Sequence, residues 1–211
     1  MGDGMTETYG AEFLARWLTA AAEDVDREAD RLTDLDSAIG DADHGANLKR
    51  GFAAVAETLA KEPPGTPGAV LTTAGRQLIS TVGGASGPLY GTLLRSAGKA
   101  LGDEERVGRE RLAEAFGAGV EAVARLGGAQ VGDKTMLDAL VPAAEALRES
   151  FAAARAAAEE GALATVPLRA RKGRASYLGE RSVGHRDPGA TSSALLFAAL
   201  ADTAAEEGEE G

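Results

Sequence analysis

Arg109-Glu110-Arg111-Leu112-Ala113-Glu114-Ala115-Phe116-Gly117-Ala118-Gly119-Val120-Glu121-Ala122-Val123-Ala124-Arg125-Leu126 sets Leu112, Phe116, Val120 and Val123 at helical spacing, with charge on the opposite side. Three- and four-residue steps put those four side chains on one stripe of an α-helix. The same period recurs along the chain. It predicts helices over Gly10–Leu32, Asn47–Ala60, Ala69–Thr81 and Gly87–Leu101. Beyond Arg109–Leu126 it predicts a helix from near Lys134 to Leu147, an alanine-rich one over Phe151–Thr165, and a last one over Ala190–Ala205. Aromatic residues make up 4% of the chain and β-branched alternation is nearly absent, so the expected class is all-α.

Each helix has one apolar stripe, so the eight must close on one another around a shared core. Short connections favour antiparallel neighbours, and alternate connections then lie at the same end. One set comprises Thr33–Ala46, Val82–Ser86, Gly127–Asp133 and Val166–Gly189; the other comprises Lys61–Gly68, Gly102–Gly108 and a turn near Ser150. The first set holds nearly all the unusual polar residues. That clustering requires a helix break at Ser150, which is read as an N-cap. A single domain is expected over residues 10–206, flanked by a disordered tail at 1–9 and an acidic tail at 207–211.

The 211 residues carry 22 Lys+Arg against 33 Asp+Glu, a formal charge of −11, with no cysteine. Excess acid argues against nucleic-acid or membrane binding by bulk charge. Without cysteine there is no disulfide, zinc–thiolate site or thiol nucleophile. The apolar runs are short and interrupted by charge, which predicts a cytoplasmic protein with no membrane span. Met1–Thr6 fits the loose myristoylation pattern and reads equally as a frayed tail.

Asp36, Asp41 and Asp43 form an oxygen-ligand set for a hard cation. Two carboxylates about 4 Å apart repel by roughly 4 kcal/mol at an effective dielectric near 20, so a converging cluster calls for a cation. Asx-turns and an N-cap are the plainer alternative. Val82-Gly83-Gly84-Ala85-Ser86-Gly87-Pro88 leads into a helix whose N-terminus favours an anion, though it is not a P-loop. Gly132-Asp133-Lys134-Thr135-Met136 and Asp187-Pro188-Gly189 open two more helices and serve at least as caps. Arg171, Lys172 and Arg174 read either as a solvated basic face or, in so acidic a chain, as a phosphate clamp. His44 and His185, the two histidines, fit structural hydrogen bonding as readily as catalysis. Together these parts compose a nucleotide site, and phosphoryl transfer needs little beyond positioning and charge stabilisation.

Leu35-Asp36-x-x-Ile39-Gly40-Asp41-Ala42-Asp43-His44-Gly45-x-Asn47, Gly83-Gly84-Ala85-Ser86-Gly87-Pro88-Leu89-x-Gly91-Thr92, Gly132–Met136 and the run from Ala170 to Ala190 resemble, in this order, the ADP-binding L subunit of bacterial dihydroxyacetone kinase. The resemblance implies a closed barrel of eight antiparallel helices with ADP or ATP and two Mg²⁺ at one end. It implies metal binding by Asp36, Asp41 and Asp43, which with Arg174 form the expected catalytic set. It implies nucleotide contacts at His44, Gly45, Ala46, Asn47, Gly84, Ala85, Ser86, Thr92, Gly127, Met136, Arg174, Asp187, Pro188 and Gly189.

In that family the nucleotide is a retained cofactor. A phosphotransferase-type M subunit phosphorylates ADP, and the ATP passes its γ-phosphoryl group to dihydroxyacetone on a separate K subunit. A transcription regulator and a homodimer are further candidate associations. Related domains occur in ATP-dependent kinases for similar ketoses and in fatty-acid kinases. The chain departs from the family pattern between Glu149 and Arg169, where it is shorter. It ends after the last helix, so no fused acceptor domain is expected. The reading from a different class is a nucleotide-sensing interaction module using the same end; a purely structural bundle would bind no metal.

Overall fold

Burial of the apolar stripes decides the architecture. The computed structural model describes residues 7–210, and Met1–Thr6, with the myristoylation pattern, lies outside them. Among the described residues there are nine α-helices. They are α1 (Ala11–Arg27), α2 (Ala29–Ile39), α3 (His44–Lys61), α4 (Pro67–Thr81), α5 (Ser86–Leu101), α6 (Arg109–Gly127), α7 (Leu137–Ala146), α8 (Phe151–Ala164) and α9 (Pro188–Glu210). A 3₁₀ segment spans Arg174–Ser182, inside the long connection from α8 to α9. Each helix from α3 to α8 packs on its successor, and α1 packs on both α3 and α9.

The core lies among these helices. Trp17 of α1 stacks edge-on against Phe116 of α6 with centroids 5.5 Å apart, and Phe116 meets Phe197 of α9 at 5.7 Å. The indole N–H of Trp17 donates to the Leu196 carbonyl at 2.8 Å, so the buried ring has its polar atom satisfied. Glycines let the α4–α5 pair approach closely. A Cβ on Gly91 would lie 2.7 Å from the Gly75 carbonyl, and one on Gly75 would lie 2.7 Å from the Gly91 carbonyl.

Several expectations are corrected. The first helix is broken at Glu28, giving nine helices where eight were expected, and α2 continues to Ile39. Leu32, Asp36 and Ile39 are all buried at helical spacing, but a carboxylate inside the stripe disguised it. The connection Thr33–Ala46 therefore shrinks to Gly40–Asp43, and Asp36 sits on a helix. α7 starts at Leu137, since Lys134 has a left-handed φ of 62° that a helix cannot contain.

The expected N-terminal tail also shortens. Thr8–Tyr9 pairs antiparallel with Val107–Gly108, forming the two-residue strands β1 and β2, and Tyr9 is buried against Phe13 and Phe151. At the other end α9 carries the chain to Glu210, because the sequence there holds no helix breaker before the terminus except Gly208.

The expected break at Ser150 is present: its Oγ accepts from the Ala153 N–H at 2.9 Å, starting α8. That cap maintains the alternation of ends on which the site depends. Ser150→Ala is expected to lower unfolding free energy by about 1 kcal/mol, read from urea denaturation. Gly91→Val should cost about 2 kcal/mol or more through the backbone clash, outweighing the gain in helix propensity. A Gly91→Val protein as stable as the parent would contradict the close approach of α4 and α5.

Candidate functional site

Four connections that are far apart in sequence meet around one cavity of about 550 Å³. They are the α2–α3 turn, the α4–α5 loop, the α6–α7 loop and the α8–α9 connection, the set expected to share an end. One wall is acidic, with Asp36, Asp41 and Asp43. Another is apolar, with Leu89, Val123, Leu126 and Met136, and Lys172 and Arg174 stand at the lip.

Asp36 comes from the last turn of α2 and is buried. Its Oδ2 accepts from the backbone N–H groups of Asp43 at 3.0 Å and His44 at 3.2 Å, capping α3 from a neighbouring helix. Between Asp41 and Asp43, Ala42 adopts a left-handed φ of 61°, which curls the turn. One carboxylate oxygen from each of Asp36, Asp41 and Asp43 lies within 4.8 Å of the others. Arg174 reaches Asp41 with an N–O distance of 3.0 Å, but its side chain is 70% exposed, so water screens the pair. One arginine against three carboxylates leaves an excess of negative charge that suits a divalent cation.

The same cavity also carries the complementary polarity. His44, Ser86 and Pro188 are the first residues of α3, α5 and α9, and all three line the cavity. Three helix N-termini, each carrying partial positive charge, border one space, a setting for phosphate. Asp187 caps α9, its Oδ2 accepting from the Ala190 N–H at 2.7 Å. Burial pushes the Asp187 carboxyl up to about 7, against the pull of the Ala190 hydrogen bond. Burial also holds His44 below the ordinary histidine range, opposed by the charges of Asp36 and Asp43.

Of the residues expected at the site, Asp36, Asp41, Asp43, His44, Gly84, Ala85, Ser86, Gly127, Met136, Arg174, Asp187, Pro188 and Gly189 line the cavity. Gly45, Ala46, Asn47 and Thr92 are not among its lining residues. Gly45 faces α2, where a Cβ would lie 1.9 Å from the Ala29 carbonyl. Asn47 is turned to Arg50, accepting from its Nη2 at 2.7 Å.

Lys134, which lines the cavity, was not expected there. It is 1% exposed, and its Nζ donates to the carbonyls of Thr165, at 2.7 Å, and His185. It thus ties the end of α8 and the approach to α9 to the α6–α7 loop. Burial lowers its pKa, with Asp187 and Asp138 opposing. A charged residue between two polar ones gives no sequence signal of burial.

Residues 38–202 match the family model described as the DAK2 domain. The chain is 44% identical over 203 residues to the ADP-binding subunit DhaL of the PEP-dependent dihydroxyacetone kinase of Escherichia coli, covering 92% of this chain and 97% of that protein. It is 39% identical over 189 residues to the ADP-binding subunit DhaL of the PTS-dependent dihydroxyacetone kinase of Lactococcus lactis, covering 90% and 95% respectively. The D-erythrulose kinase of Mycolicibacterium smegmatis is 42% identical over an alignment of 215 positions that covers 95% of this chain and 37% of that one. Among solved structures, the dihydroxyacetone kinase from C. freundii in complex with AMP-PNP and Mg²⁺ superposes with a TM-score of 0.73 at 26% identity, over 96% of this chain and 36% of that one. With the match running through the acidic turn, the glycine-rich loop and the start of the last helix, the chain belongs to the DAK2 domain family.

Proposed function

We propose that this chain is the nucleotide-binding subunit of a dihydroxyacetone kinase. ADP held in the cavity receives a phosphoryl group from a phosphotransferase-type M subunit, and the resulting ATP passes it to dihydroxyacetone on a separate K subunit. The observation that carries this reading is the meeting, around one cavity, of three carboxylates and three helix N-termini. Full-length likeness to ADP-binding subunits of PEP- and PTS-dependent kinases supports it, as does likeness to a kinase solved with AMP-PNP and Mg²⁺. The proposal extends to action in the cytoplasm and to one functional unit over residues 10–206, with α1 and α3–α9 closing as an eight-helix barrel.

In this reading Asp36, Asp41 and Asp43 hold two Mg²⁺, which supply charge neutralisation to the phosphate oxygens. Ser86, the Gly83–Ala85 backbone and the starts of α3 and α9 hold the phosphates. The flat base lies among Leu89, Val123, Leu126 and Met136, where apolar surface is already assembled. Arg174 is free to leave Asp41 for a phosphate oxygen, its fork suiting either anion. No nucleophile from this chain is required, because transfer of a phosphoryl group depends on positioning and charge.

The outer surface around the cavity fits a subunit that works only in contact with others. Six large hydrophobic side chains are exposed among the described residues: Ile79, Leu126, Val131, Leu163, Tyr177 and Val183. All lie at the ends of α4, α6 and α8 or in the connections that follow them, at the cavity end. Tyr177 is 90% exposed, beside Arg174. Such a rim suits docking of the K and M partners in turn.

Protein purified in Mg²⁺ and then denatured is expected to release ADP or ATP at close to one per chain. Asp41→Ala should cut retention at least about tenfold by removing a ligand carboxylate. Asp36→Ala should also lower stability, since Asp36 caps α3. Unchanged retention in Asp41→Ala would refute the metal assignment. Mixing with a K subunit, an M subunit and phosphoryl donor should turn over dihydroxyacetone; binding of the partners without turnover would favour the sensor module instead.

A further inference from the structure

From the cavity wall inward, a chain of hydrogen bonds links the starts of α3, α5 and α9. Ser86 Oγ lies 3.1 Å from His44 Nδ1, and His44 Nε2 lies 2.9 Å from Ser192 Oγ. Ser192 Oγ lies 2.6 Å from the Tyr90 hydroxyl, which is 2.9 Å from Ser193 Oγ and 3.1 Å from the Gly189 carbonyl. Ser193 donates to that carbonyl at 2.8 Å. His44, Tyr90, Ser192 and Ser193 are buried, and only Ser86 at the near end is half-exposed, on the cavity.

The hydrogens in this chain can run in two senses. A neutral imidazole has one donor and one acceptor nitrogen, and each hydroxyl has one hydrogen to give. In the inward sense, Ser86 donates to Nδ1, Nε2–H to Ser192, Ser192 to Tyr90, and Tyr90 to Ser193. In the outward sense, Tyr90 donates to Ser192, Ser192 to Nε2, and Nδ1–H to Ser86, whose own hydrogen is left to point into the cavity. Both senses satisfy every buried donor, although Ser192 Oγ also has the Gly189 carbonyl as an acceptor at 3.1 Å and the Pro188 backbone is a further partner of the His44 ring. At the end that faces a ligand they differ in where the Ser86 hydrogen points. A phosphate oxygen accepts hydrogen bonds and donates none, so only the outward sense serves it.

We propose that His44, Ser192 and Tyr90 are positioning residues that turn the Ser86 hydroxyl hydrogen toward a nucleotide phosphate, with the His44 ring hydrogen on Nδ1 in the nucleotide-bound protein. This rests on the nucleotide reading of the cavity and deepens it. His44 then acts through Ser86, since both of its ring nitrogens are committed. Tyr90 and Ser192, absent from the expected site, become part of its phosphate-holding apparatus.

Ring nitrogen-15 NMR tests the tautomer directly. The chain has two histidines, so the His185→Gln variant leaves His44 as the only signal. With Mg-ADP at saturation, Nδ1 is expected to carry the hydrogen and Nε2 to be bare; the reverse assignment overturns the inference. A double-mutant cycle read by calorimetry tests the route.

Ser192→Ala should weaken ADP binding about tenfold, leave adenosine binding unchanged, and have no further effect in a Ser86→Ala background. Ser192→Thr, which retains the hydroxyl, should restore binding. Losses that add in the double variant would mean a general packing role and would overturn the inference. So would a Ser86→Ala protein with unaltered ADP affinity, while the nucleotide reading survived. Failure of the unmutated protein to bind Mg-ADP would overturn that reading, and this inference with it.

Discussion

The carboxylate of Asp36 accepts the first amides of α3 from the last turn of α2, and the site is arranged around that contact. It joins the acidic half of the cavity to the helix-terminus half. One oxygen caps α3, while the carboxylate also lies within reach of Asp41 and Asp43. A charged group buried at a helix N-terminus is stabilised by the hydrogen bonds it accepts and by the helix dipole. That stabilisation keeps one acid of the cluster in place, and the curled turn at Ala42 brings the other two to it.

Strain and unusual burial concentrate at the same end. Ala42 and Lys134 are the non-glycine residues with left-handed φ among those described, and both adjoin the cavity. Such conformations cost of order 1–3 kcal/mol each and persist where surrounding contacts over-determine them. For Lys134 the surrounding contacts are two carbonyls from α8 and the approach to α9. For Ala42 they are the backbone hydrogen bonds that Asp36 draws from the next two residues. The remainder of the molecule, by contrast, is built from ordinary alanine- and leucine-rich helix packing, with close backbone approach at Gly75 and Gly91.

Much of the helical framework was legible in the spacing of apolar residues, because a stripe on a helix has a period that survives without knowledge of neighbours. The stripe of α6 and the cap at Ser150 are of this kind. α2 was not legible beyond Leu32, since the residue continuing its stripe is Asp36, and a buried carboxylate reads as a loop acid. Thr8–Tyr9 carries no local strand signal, because a two-residue strand exists only through its partner at Val107–Gly108. The acidic turn, the glycine-rich loop and the Asp187–Gly189 helix start were recognisable from residue types, whereas Lys134, Tyr90 and Ser192 resembled ordinary helix or loop residues.

By itself, the order of residues determined that this protein is helical and which connections share an end, because periodicity and alternation of direction are properties of a chain read locally. It also supplied the chemistry of that end, in carboxylates, glycines and a basic run. Only the tertiary structure decided the convergence: which carboxylate is buried, which helix starts border the cavity, and which hydroxyls stand behind Ser86. Those depend on distances between segments more than one hundred residues apart, such as His44 and Ser192. Packing of α1 between α3 and α9 sets such distances, and no local pattern encodes them.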